Sequence, residues 1–532
     1  MNILNSNNIN ILDLPDEMLR TIFNKLDMID MLYSLVDVNQ RFDRLVLDSL
    51  YIHHLDLAIK HSNINKSSID TQILDRVCSK ILPRINDKIT KLTVDPFSME
   101  HILGGIHYPQ LHSLSLVNYQ PKMFSRHLSR TTILHLLINQ ITHLTVNIYL
   151  DKTEIPNENE PNIFAFILLS GTCLSDLTYF QTLSGKYLTV SSMDISYISC
   201  LSSTLTKLRV NVNAFDDCLY LLNGCLESLS TLIIRIKNIN RSSLKIDNTE
   251  KLVKLKCFSL ATNLYTYFYD NQVVPLLRRM LNLEELTLFL SVIRTNSTYI
   301  DGNQLHDEIL NYMPQLNKFI FSIHTHIINN RIEINLPSND DIRNSFIKRG
   351  FQSIGTCADD KLINNIGNCY IYSLPYQFHD FLYMGSCFQG GKFDKVRLLL
   401  MYDKRPFEQK LFKIISQDFL FLQQLLIYNF EPQNNEQHYS STLITFNHLF
   451  QLNLINVHDD YAIQFLSDKN THLRRLTHLD IEYKTLENVT NYFTNDATRL
   501  NCAKIKFLRI YRQFVRPENF DSYFPSVNIS LL

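Results

Sequence analysis

Leu205-Thr206-Lys207-Leu208-Arg209-Val210 returns as Leu229-Ser230-Thr231-Leu232-Ile233-Ile234. The shared frame is an aliphatic residue, two variable residues, an apolar one, one variable and an apolar one. It also stands at Ile52-Leu55-Leu57, Ile89-Leu92-Val94, Leu111-Leu114-Leu116, Ile141-Leu144-Val146, Leu255-Phe258-Leu260, Leu283-Leu286-Leu288 and Leu316-Phe319-Phe321. A second series runs Ile366-Cys369-Ile371, Phe393-Val396-Leu398, Leu422-Leu425-Ile427, Leu449-Leu452-Leu454, Leu476-Leu479-Ile481 and Ile505-Leu508-Ile510. Starts fall mostly about 22 to 33 residues apart, and self-similarity at such a period predicts stacked repeats. Helical spacing between strands, as in Asp70–Leu82, Phe215–Leu222 and Tyr461–Leu466, makes each repeat a short strand with a return helix.

Alternation within a strand sends the aliphatics inward and the variable residues outward. The outward set then includes Lys207, Arg209, Arg235, Phe289, Lys318, Arg397, Tyr428, Phe507, Arg509 and Tyr511. Both charge signs mixed with aromatics suit a protein partner, whereas a nucleic-acid groove is more uniformly basic. The bland alternative is a solvated sheet surface. The rhythm breaks near residues 150–162 and again near 325–345, where insertions are expected, and Leu174-Leu177 is a doubtful strand.

A different pattern precedes the repeats. In Leu12-Asp13-Leu14-Pro15-Asp16-Glu17-Met18-Leu19-Arg20-Thr21-Ile22-Phe23-Asn24-Lys25-Leu26, apolar residues from Met18 onward follow helical spacing. Pro15 suits a first turn, and Asp16 and Glu17 complement the helix dipole. Asp27 and Asn39 are candidate caps for two further helices carrying Met31, Leu32, Leu35 and Val36, then Phe42, Leu45 and Val46. A unit this small cannot bury its own apolar surface and must lean on the remaining chain or on a partner.

The Leu14-Pro15-Asp16-Glu17 opening, with Ile22-Phe23, Leu26 and Val38-Asn39-Gln40-Arg41-Phe42, resembles an F-box over residues 12–50. Asn39 and Phe42 depart from the cysteine and tryptophan common there. The resemblance implies a three-helix F-box docking a Skp-type adaptor and, through it, a cullin, with Leu14, Pro15, Ile22, Leu26, Leu32, Val38 and Phe42 at the interface. The degenerate repeats over 51–532 are similar to the leucine-rich repeats of F-box receptors. The fold expected is an α/β solenoid, a leucine-rich-repeat horseshoe with a small N-terminal F-box, preceded by a tail at 1–11. The implied function is non-catalytic: substrate recognition in an SCF-type ubiquitin ligase, the substrate protein being held on the repeats. The alternative is a scaffold or inhibitor whose N-terminal helices are only a cap.

Composition narrows the remaining options. The 532 residues carry a net charge of −1, so no global field recruits nucleic acid or anionic lipid. Ten dispersed cysteines without a C-x-x-C pair read as thiols in a reducing compartment, cytoplasmic or nuclear. Met1 to Leu19 holds no Lys or Arg and no sustained apolar run, which predicts no secretory signal, and no apolar run is long enough to predict a membrane span.

Candidate chemistry is sparse. Gly385-Ser386-Cys387-Phe388-Gln389-Gly390-Gly391-Lys392 invites a phosphate-loop reading, but its spacing is wrong and Phe393 stands where Ser or Thr would bind magnesium. Asp216-Asp217, Asp340-Asp341 and Asp459-Asp460 each precede a helical run and read as caps. His53-His54 and His324-x-His326 lack further ligands and read as surface histidines. No catalytic motif, cofactor or metal site is expected.

Overall fold

The computed structural model describes residues 11–48, 52–58, 71–120, 123, 131–149, 163–182, 202–223, 226–244, 251–329, 335–351, 353–434, 443–511 and 514–531. Nearly all of the expected tail at 1–11 and the expected insertion at 150–162 lie outside them. The chain divides into two compact units, Met1–Leu260 and Ala261–Leu532. The fold is α/β, with a large, mostly parallel sheet.

In the first unit three helices, α1 (Asp16–Phe23), α2 (Met28–Leu35) and α3 (Gln40–Val46), lead into strands β1 (His54–Asp56), β2 (Lys91–Val94), β3 (Ser113–Tyr119), β4 (His143–Tyr149), β5 (Asp176–Thr182), β6 (Lys207–Ala214) and β7 (Thr231–Asn238). They pair in sequence order and parallel, as in Leu208↔Leu232 and Val210↔Ile234. The doubtful strand is therefore real: Leu177 sits beside Leu144 and Leu208. β8 (Cys257–Thr266) continues the series across the unit boundary.

One carbonyl at each repeat entry fixes the stacking. Ser175 O accepts from the Thr206 and Lys207 N–H groups, and Thr206 O accepts from those of Ser230 and Thr231. The hydroxyls of Thr206 and Ser230 donate to the same two carbonyls, at 3.0 and 3.1 Å. Thr90, Thr142, Ser175 and Thr477 repeat this bond. The variable position after the leading aliphatic thus joins one repeat to the next. The frame's aliphatics, such as Leu205, Leu208 and Val210, are fully buried.

The second unit contains β9 (Glu285–Thr295), β10 (Lys318–Ile328), β11 (Ile354–Ala358), β12 (Ile366–Ser373), β13 (Asp380–Met384), β14 (Leu398–Tyr402), β15 (Gln424–Asn429), β16 (Ile444–Phe446), β17 (Gln451–Val457), β18 (Thr471–Leu473), β19 (His478–Glu482), β20 (Phe507–Tyr511) and β21 (Asn528–Leu531). β13, β14, β15, β17, β19, β20 and β21 form a seven-stranded parallel sheet in that order. β16 and β18 pair apart from it.

Ile366-Cys369-Ile371 does not continue the repeat. It lies on β12, which runs antiparallel to both β10 and β11. Near 325–345, where an insertion is expected, the described residues hold the end of β10 and most of the helix Asn339–Ile347, whose Ser338 cap accepts from Asp341 N–H, and 330–334 lie outside them. Among the described residues no helix is long and apolar enough to cross a membrane.

Candidate docking surface

Helix α1 divides its apolar residues between two directions. Leu19 and Phe23 are buried, Phe23 edge-on to Phe42 with ring centroids 5.3 Å apart. Met18 and Ile22, one turn apart, are 53% and 41% exposed, and Leu26, beyond the helix end, is 43% exposed. Ile11, Leu12 and Val38 are exposed as well. Six exposed apolar residues thus fall between Ile11 and Val38.

Polar contacts hold this surface in shape. Arg41 on α3 bonds the Asp16 carboxylate through Nε at 2.8 Å and donates to the carbonyls of Leu12 and Leu14 at 2.5 and 2.7 Å. Arg44 adds a second contact to Asp16 at 3.0 Å. The Arg41 guanidinium holds the Asp16 carboxyl below its ordinary value. Asn39 caps α3 by accepting from Phe42 N–H at 2.8 Å, while Asp27 stands at the α2 N-cap position without a side-chain cap bond.

The helices also lean on the first repeats. Arg84 bridges Asp37 and Asp43 at 2.8 and 3.0 Å, and Arg76 donates to Val36 O at 3.1 Å beneath the Tyr33 ring. Part of the apolar surface is thereby covered by the chain itself, and the strip containing Met18, Ile22 and Val38 is left outside.

Of the residues expected at an adaptor interface, Pro15, Ile22, Leu26 and Val38 are exposed and Leu14 is half-buried. Leu32 and Phe42 are instead interior, 0% and 5% exposed. They shape the module and present nothing outward. Arg41 had no assigned role in the sequence; only its contacts with Asp16, Leu12 and Leu14 give it one.

The expected repeat-face residues divide between the two units. Lys207, Arg209 and Arg235 belong to the first, where Lys207 pairs with Asp176 on the adjoining strand at 2.7 Å. In the second, Lys318 pairs likewise with Glu285 at 2.9 Å. Phe289 does not face outward: it is 5% exposed and packs on Phe378, because β9 is covered on both faces. Arg397 lies over the Phe421 ring.

Tyr428, Phe507, Arg509 and Tyr511 share one sheet with His478 and Asp480. Phe507 is exposed and stacks on His478 at 4.6 Å, while Arg509 reaches Asp480 at 3.2 Å. Asp480 is nearly enclosed and also accepts from Asn453 Nδ2 at 3.3 Å. Burial pushes its carboxyl up, and the Arg509 charge opposes that. Exposed rings thus surround a half-exposed arginine and a buried carboxylate on this sheet.

The other candidates resolve into structure. His324 and His326 are buried, not on the surface; both bond Asn368 Oδ1, at 3.2 and 2.8 Å, under the rings of Tyr265, Tyr370 and Tyr383. Asp217 and Asp341 cap their helices through Ala214 N–H and Ser338. In the glycine-bearing loop the N–H groups of Ser386 and Gly391 donate to Asp403 and Asp418 at 2.6 and 2.8 Å, so neither is free to cradle a phosphate. Among the described residues no group of three or more His, Cys, Asp or Glu could hold a metal ion.

No family model and no curated protein matches the chain. Among solved structures, one titled "Crystal structure of Rad7 and Elc1 complex in yeast" is similar at a TM-score of 0.23 and 10% identity, covering 97% of this chain and 92% of that one. A likeness this slight carries no argument about fold or function.

Proposed function

We propose that the chain is the substrate-recognition subunit of an SCF-type ubiquitin ligase. Its N-terminal helices form an F-box that docks a Skp-type adaptor, and its repeats, of the leucine-rich kind, hold a protein substrate. The observation carrying this reading is the exposed row of Met18, Ile22, Leu26 and Val38 on a module whose Leu-Pro opening is clamped by Arg41. The subunit performs no chemistry: it raises the local concentration of substrate lysines near a conjugating enzyme supplied by other subunits.

On the repeats, the patch around Phe507, Arg509 and Tyr511 is the substrate contact this reading favours. Co-purification of the full chain with a Skp-type adaptor tests the docking. Wild type is expected to bind, and Ile22→Asp with Val38→Asp to lose at least tenfold in affinity. Absence of wild-type binding, or binding indifferent to these changes, removes the proposal.

The second reading, a scaffold with a helical cap, is favoured by the Arg84 bridge to Asp37 and Asp43. On that reading Arg84→Ala destabilises the first repeats, and the double aspartate variant leaves every partner of the chain in place.

A further inference from the structure

The second unit contains a cavity of about 680 Å³ that docking and the repeat face do not use. We propose that it binds a small organic anion with a flat, apolar body. Its volume lies within the ~300–1,000 Å³ typical of small-molecule sites.

The lining has two parts. Tyr372, Tyr376 and Phe388, each about 5% exposed or less, supply an aromatic wall. The Tyr376 hydroxyl already donates to Asp380 O at 2.8 Å and meets Ser322 Oγ at 3.2 Å, so this ring contributes apolar surface. Tyr372 packs against the backbone of Gly355 across the β11–β12 pair; a Cβ on Gly355 would stand 2.0 Å from the ring. That glycine lets the aromatic wall form.

The charged lining is unequal. Arg343, Lys392 and Lys395 outnumber the nearby carboxylates, Asp394, which Lys392 engages at 3.3 Å, and Asp418, which accepts from Gly391 N–H at 2.8 Å and whose charge also reaches Tyr372. Lys395 Nζ donates to Gln377 Oε1 at 2.5 Å and carries its charge there without a carboxylate. The Arg343 charge reaches Tyr372, on the aromatic wall. The Gly391 N–H is taken by Asp418, so the positive charge that meets the anion comes from the basic side chains. That favours a carboxylate or phosphate monoester on a flat ring over a nucleotide triphosphate.

Titration calorimetry on the full chain tests the assignment with three probes: 1-naphthyl phosphate, inorganic phosphate and 1-naphthylmethylamine. Naphthyl phosphate is expected to bind saturably, inorganic phosphate at least tenfold more weakly, and the amine not at all. Arg343→Glu with Lys395→Glu is expected to lose at least tenfold for naphthyl phosphate. Lys348→Glu, at the C-cap of the Arg343 helix but outside the cavity, is expected to stay within twofold. Absence of saturable binding, equal binding of the amine, or an equal loss in Lys348→Glu overturns the proposal. Adaptor docking is untouched by any of these outcomes.

Discussion

Arg41 on α3 pairs with Asp16 on α1 at 2.6 Å and, through the same guanidinium, holds the carbonyls of Leu12 and Leu14. Among the described residues, the turn Ile11–Asp13 leads into α1, and this clamp ties it and Leu14 to α3. Arg41→Ala removes the charge-assisted bonds to Asp16, Leu12 O and Leu14 O together and is expected to raise amide exchange at Leu14 by at least about tenfold. Asp16 is held below the ordinary 3.8, so its pairing is intact above that value and is lost as pH falls through the lowered one. Hydrogen exchange at pH 7 in wild type and variant measures the effect; equal rates would show that the clamp does not order the segment.

The two directions of α1 predict opposite outcomes for neighbouring substitutions. Met18→Asp and Ile22→Asp touch exposed side chains and are expected to change stability by no more than about 0.5 kcal/mol. Leu19→Ala empties a fully buried position and is expected to cost about 2–5 kcal/mol. Thermal unfolding of the three variants checks this. A large loss in Ile22→Asp would mean that the outer strip is structural.

Much of this architecture was legible because parallel repeats bury the same frame each time. Leu205-Leu208-Val210 and Leu476-Leu479-Ile481 are buried, and even Leu174-Leu177 took its place. The frame fails where its physical basis fails. β9, β10 and β12 are enclosed on both faces, so alternation no longer marks the outside, and Phe289, His324 and His326 are buried. Ile366-Cys369-Ile371 satisfies the frame yet runs antiparallel, since burial alone does not encode direction. β13 and β21 carry no leading aliphatic frame and were missed. In the N-terminal module helical spacing located three helices but not which apolar residues point inward; Leu32 and Phe42 needed the packed structure. The Ser/Thr link between repeats was present in the sequence, as in Leu205-Thr206 and Leu229-Ser230, and becomes readable only with the shared carbonyl in view.

Asp480 is held at a cost to stability. Its burial raises the carboxyl above 3.8, so the folded state disfavours ionisation and loses stability as pH rises through that raised value. Asp480→Asn is expected to stabilise the protein at pH 7 and to leave it unchanged below the ordinary carboxylate value. Denaturant unfolding at the two pH values checks the sign. A destabilised variant at pH 7 would show that the Arg509 pair outweighs the burial.

His324 gives the fold a dependence on mild acid. Its Nε2 meets Asn368 Oδ1 at 3.2 Å, its ring stacks on Tyr370 with centroids 4.2 Å apart, and its Nδ1 has no hydrogen-bond partner. A proton on Nδ1 would place an unpaired charge in the interior, so burial pushes the histidine down from 6.5 to about 3. The unfolded chain therefore takes up a proton between those values while the folded chain does not. Stability is complete above pH 6.5 and falls below it, by up to ~1.4 kcal/mol per pH unit from this residue alone. His324→Phe keeps the stacked ring and removes the titration. Denaturant midpoints from pH 7.5 to pH 4.5 are expected to fall less steeply in the variant, by one proton's worth of slope; parallel curves would place the acid sensitivity elsewhere.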